Sequence, residues 1–232
     1  GFDSAEAMAD ALERVRAHHE ILSAVPAYRT WLKRETELLA AKRRQERERR
    51  LLSLARAYDR AVVEGRAEAD SLLGKIRALD PDHAAVAFEE AFRQGDMAAL
   101  SAFPPPADLP PSEQVGLSAS ACRFWPQLPA ALRKALGPRL APPNEPDRAS
   151  FSARLVAVYH NADESRPADA IRTAQALVRE VALRPSAAAD LLPRLVMNKE
   201  QFAALPWRTS VPTVTELLNR CSQLREQRRA GN

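Results

Sequence analysis

Apolar positions recur at three-to-four spacing from the start of the chain. Met8, Leu12, Val15 and Leu22 share one face with His19 until Pro26, the period of an amphipathic helix. Asp3, Ser4, Ala5 and Glu6 ahead of that face form a capping box. A second helix is predicted from Ala27 to Glu64, with Gly65 placed to close it in the left-handed conformation. Its ends carry apolar residues: Trp31, Leu32, Leu38 and Leu39 at one, and Leu51, Leu52, Leu54, Tyr58, Val62 and Val63 at the other. The centre, Lys42 to Arg50, has no large apolar side chain. Lys42 with Glu46, Arg44 with Glu48, and Glu46 with Arg50 stand four apart and are expected to pair.

Shorter helices follow. Ala67 to Leu79 ends at Asp80-Pro81-Asp82, His83 to Gln94 ends at Gly95-Asp96, and Met97 to Phe103 ends at three prolines. Eleven of the eighteen prolines then fall between Pro104 and Pro146. Proline lacks a backbone donor and holds the preceding residue extended, so it punctuates helices. Three segments result: an N-terminal helical unit over 1–103 with the long helix 27–64, a proline-rich connecting segment over 104–147, and a C-terminal helical unit over 148–232. In the middle segment a short helix is expected from Ser112 and Glu113. A second, Pro129 to Leu136, has Gly137 just past its end. Phe124 and Trp125 between them are expected to anchor the segment on a core. The last unit reads as Phe151 to His160 capped by Ser150, a helix from Pro167 to Leu183, Ser186 to Leu192, a turn from Asn198 and a final helix from Pro212.

The fold class expected is therefore all-α: about ten helices, one long and charged, the rest stacked as hairpins in an irregular solenoid or bundle. Ala57, Tyr58, Gly65, Ala69, Leu73, Ile76 and the junction from Leu79 through Pro81 to Ala84 carry a likeness. On those residues, the stretch 54–103 resembles tetratricopeptide-type helical hairpins. The resemblance implies stacked-hairpin geometry and binding of a peptide or protein. No 34-residue period recurs along the rest of the chain.

Charge adds one feature. The segment Lys33 to Arg50 holds eight basic residues (Lys33, Arg34, Lys42, Arg43, Arg44, Arg47, Arg49, Arg50) against Glu35, Glu37, Glu46 and Glu48. That excess equals the net +4 of the whole chain, so everything outside it is balanced. A net charge this small does not hold a polyanion by itself, and only its concentration in one helix keeps that idea alive. With seven glycines in 232 residues, a glycine-rich phosphate loop is not expected. No apolar run approaches the roughly 20 residues of a membrane span, and no signal peptide is visible. A cytoplasmic location is expected, and a chain that begins at Gly1 is read as cut or processed from a longer one.

Candidate chemistry is thin. His18-His19-Glu20 invites a metal reading, but adjacent residues on a helix point about 100° apart, so no metal site is expected. Cys122 and Cys221 match no metal or redox spacing and read as buried thiols. Tyr159-His160-Asn161 before Asp163-Glu164 is the densest polar cluster, at a helix end where such residues also cap. No catalytic residue and no cofactor are assigned. The expected function is a non-catalytic protein–protein interaction module or scaffold, with Tyr58, Phe88, Phe92 and Trp207 as candidate docking anchors and the long helix as a spacer or self-association element. The alternative is a nucleic-acid-binding accessory protein, with Lys42, Arg43, Arg44, Arg47, Arg49 and Arg50 contacting phosphates.

Overall fold

A computed structural model describes residues 4–16, 25–140, 150–164, 166–177, 180, 181 and 183. Among these the protein is all-α, with nine α-helices and no strand. They are α1 (Ala5–Arg16), α2 (Pro26–Glu64), α3 (Ala69–Leu79), α4 (Ala84–Gln94), α5 (Met97–Ala102), α6 (Pro111–Phe124), α7 (Ala130–Leu140), α8 (Phe151–Asp163) and α9 (Pro167–Leu177). His19, Trp207, Cys221 and the helices expected after Leu183 lie outside the described residues. The chain divides into two compact units, Gly1–Leu51 and Leu52–Asn232, and α2 contributes to both.

In the first unit, Ser4 caps α1 by accepting the Ala7 amide at 3.1 Å. Ala5, Met8 and Leu12 form the buried face of α1. Before Leu51, the half-covered positions of α2 are Tyr28, Leu32, Glu35, Leu39, Lys42 and Glu48, the first five alternating by four and three as the seam of a helix pair does. Glu46 is exposed, and its Oε1 accepts the Ala5 amide at 2.9 Å. The start of α1 is thereby tied to the middle of α2.

The second unit is built around α6. Its residues Gly116 through Cys122 are all buried, and it packs against both α4 and α8. Small side chains (Gly116, Ser118, Ala119, Ser120, Ala121) let neighbouring helices approach closely from several sides, so α6 has no single apolar stripe. The proline clusters around it mark helix ends. Its start differs from expectation: Pro111 is the first helical residue and Ser112 lies buried inside the helix, because proline already has the φ of a first turn and lacks the amide that a cap would satisfy. Trp125 is fully buried just after it.

Gly137 is a second correction. It does not close α7, which continues through Pro138 to Leu140. A Cβ at Gly137 would overlap His160 Nδ1 and Cγ of α8, so the glycine is there to seat an imidazole. Gly116 does the same for His83: a Cβ there would lie 2.6 Å from His83 Cε1. His83 is fully buried and caps α4, its Nδ1 accepting the Ala85 amide at 3.2 Å. The expected cap at Gly65 is present, with φ of +71°.

Asp59 joins distant segments. Its two carboxylate oxygens accept the amides of Phe151 (2.9 Å) and Ser152 (2.8 Å) at the start of α8. Ser150 accepts the Ala153 amide at the same helix start. Despite these hydrogen bonds, burial outweighs them and pushes the Asp59 carboxyl up to about 6.

Candidate interaction surface

Residues 25–50 contain no buried position. Helix formation there follows from composition, since leucine, alanine, arginine, glutamate, glutamine and lysine dominate and all are strong helix formers. The side of α2 carrying Tyr28, Leu32 and Leu39 is half covered. About a quarter turn away, at 100° per residue, stand Trp31 and Leu38, one heptad apart and 39% and 47% exposed. The rings of Tyr28 and Trp31 lie 6.0 Å apart.

The six basic residues are placed around the helix rather than on one stripe. Arg43, Arg47 and Arg50 share a face nearly opposite Trp31 and Leu38 by the same angular arithmetic. Lys42 is half covered, and Arg44 and Arg49 project elsewhere. Among the described residues Arg44 and Arg50 make no ion pair, so the pairs expected with Glu48 and Glu46 are not formed. Glu46 is engaged with the Ala5 amide instead, and an exposed arginine gains little from a nearby carboxylate in water.

The four candidate anchors have different places. Tyr58 and Phe88 are fully buried, which leaves them no surface to offer a partner. Phe88 meets Phe103 with ring centroids 5.4 Å apart. Phe92 is half-buried and stacks on Phe124 at 4.2 Å, with Arg123 over the far side of that pair at 5.5 Å from the Phe124 centroid. Trp207 lies outside the described residues.

Around Tyr58 is a buried polar network. Ser120 Oγ donates to the Ala85 carbonyl at 2.9 Å, so the Tyr58 hydroxyl, 3.2 Å away, donates to Ser120. Burial pushes the Tyr58 phenol up. Glu89, itself buried, accepts from Arg93 at 3.0 Å and from Arg123 at 3.4 Å, and Arg123 reaches Asp70 at 2.7 Å. The network joins α2, α3, α4 and α6, and its chemistry is that of a lock between helices: every acid faces an arginine.

An open cleft of about 470 Å³ lies between α7 and α8, lined by Ala130, Arg133, Lys134, His160, Asp163 and Glu164. Arg133 pairs with Asp163 at 3.1 Å. His160 Nε2 lies 3.4 Å from an Arg166 guanidinium nitrogen; arginine only donates, so Nε2 accepts and Nδ1 carries the proton. Burial, and then the Arg166 charge, hold the imidazole below its ordinary pKa. Lys134 and Glu164 make no pair within the described residues. The cleft can hold a small polar group, and among the described residues no hydroxyl or thiol lines it to serve as a nucleophile. The sequence pointed to the His160 cluster but not to Arg133 and Lys134, which the fold brings from another helix.

Among the described residues, no three His, Cys, Asp or Glu side chains converge as a metal site would require, and no helix is long and apolar enough to cross a membrane. No family model matches the chain, and no curated protein or solved structure matches it either.

Proposed function

We propose that the chain is a non-catalytic helical interaction module whose contact element is the part of α2 preceding Leu51. The observation that carries this reading is that residues 25–50 form continuous helix with no buried position while exposing Trp31 and Leu38. A helix that presents large apolar side chains to water without a covering element has the character of a docking surface. The hairpin likeness of residues 54–103 points the same way. A photo-reactive residue replacing Leu38, with an equally exposed control at Gln94, tests the reading in extract of the native cells. One defined protein cross-linking from position 38 and lost in Trp31→Ala is the expected result. Equal labelling from both positions overturns it.

A second reading, contact with nucleic acid, is favoured by one observation: Glu46, which would repel phosphates, is occupied by the Ala5 amide, while Arg43 and Arg50 are exposed and make no ion pair among the described residues. Titration into labelled single- and double-stranded nucleic acid at about 50 and 200 mM salt separates the two. Binding that falls steeply with salt and vanishes in Arg43→Glu/Arg47→Glu/Arg50→Glu replaces the first reading. Absence of binding at the lower salt removes the second.

A further inference from the structure

We infer that this part of α2 pairs antiparallel with the same segment of a second copy of the chain. The inference rests on the reading of α2 as the contact element and names the partner. Trp31, Arg34, Leu38, Ala41, Gln45 and Glu48 follow one another by three and four and form one face, the geometry by which two helices interlock. The large apolar members of that face are the exposed Trp31 and Leu38.

Charge chooses the partner and the direction. Glu37 and Arg44 stand seven residues apart on one edge of this face, and both are exposed. Neither has a hydrogen bond or ion pair among the described residues. In an antiparallel pair centred so that Leu38 of one copy meets Ala41 of the other, each Glu37 faces Arg44 of the other copy. Trp31 then covers the stem of Glu48, and Arg34 meets the Gln45 amide. The two-fold axis makes this Glu37–Arg44 contact twice, each time between opposite charges. A parallel pair in register has no such consistency: Glu37 approaches Lys42, but Arg44 approaches Arg49. A two-fold axis makes the antiparallel contact isologous and self-limiting. With few apolar residues in the seam, the dimer is expected to be weak and salt-sensitive, since exposed ion pairs are screened.

Sedimentation equilibrium of the full chain at low and high salt tests this. The expected result is a concentration-dependent dimer that loosens with salt. Glu37→Arg alone, or Arg44→Glu alone, places like charges together and is expected to weaken the dimer by about tenfold or more. The double variant Glu37→Arg/Arg44→Glu restores it, which no folding defect mimics. Leu38→Arg abolishes the dimer with the circular dichroism melt unchanged. A monomer at every concentration overturns the inference, as does a dimer indifferent to all of these variants. A monomer that still cross-links another protein from position 38 overturns the self-pairing and leaves α2 as a contact element. A monomer that cross-links nothing overturns both.

Discussion

The two halves of α2 share one backbone and differ in what holds them helical. Up to Arg50 no residue is buried, and every strong helix former in the segment faces water or half-faces it. From Leu51 onward, Leu51, Ala55, Tyr58, Asp59, Ala61, Val62 and Val63 are buried, and two adjacent valines stand where intrinsic preference is weakest. One half is helical by composition, the other by packing. The difference teaches that a single uninterrupted helix can be surface over one stretch and core over the next, so a residue's role follows from its surroundings rather than from its element.

That contrast can be broken most sharply at its two aromatics. Tyr58→Ala removes a fully buried ring and the donor to Ser120, and is expected to cost about 3–5 kcal/mol in a urea melt. Trp31→Ala, on the same helix, is expected to change stability by less than about 0.5 kcal/mol. Equal effects would mean that the first half of α2 is covered by something that stabilises the fold.

The buried carboxylate sharpens the comparison next. Asp59 has a folded value of about 6 against an ordinary 3.8, so the folded chain holds its proton more tightly than the unfolded chain. The stability this group contributes is therefore full below 3.8 and lost as pH rises through 6, a total of about 3 kcal/mol. Wild type minus Asp59→Asn, compared by urea unfolding on either side of that window, is expected to lose most of that difference at the higher pH. Parallel pH profiles for the two proteins would refute the assignment.

Two glycines make the same point with smaller effects. Gly116→Ala drives a methyl into the buried, capping His83 and is expected to destabilise by about 1–3 kcal/mol. Gly74, in the middle of α3, has nothing within 4 Å of its would-be Cβ. Gly74→Ala is accordingly expected to stabilise by up to about 1 kcal/mol. Thermal melts of both check the sign, and a gain at Gly116 would show that His83 can yield.

Much of the fold was legible as pattern. The bounds of α2 followed from periodicity and from Gly65, and the breaks at Pro81 and Gly95 from their backbone chemistry. The core helix α6 was not recognisable as such, because a helix buried on several sides by small residues shows no stripe and its flanking prolines look like those of a linker. Gly137 was misread because a glycine after an apolar run is the ordinary mark of a helix end; only the position of His160, on another helix, explains it. Asp59 looks like any helix-surface carboxylate until α8 is placed against it. Of the proposed interaction surface, the charge and its location were visible in advance, whereas the exposure of Trp31 and Leu38, and Glu37 and Arg44 having no pair among the described residues, were not.

What the sequence determined by itself was local: which stretches are helical, where they stop, and where the net charge sits. These depend on neighbours within one or two turns, through propensity, proline and glycine geometry, and spacing. The tertiary structure alone decided which half of α2 is covered, which histidines need a glycine opposite, and which carboxylate is pushed out of its ordinary range. Each of those depends on atoms brought together from distant segments, and burial, the quantity that governs them, is defined only once the chain has packed.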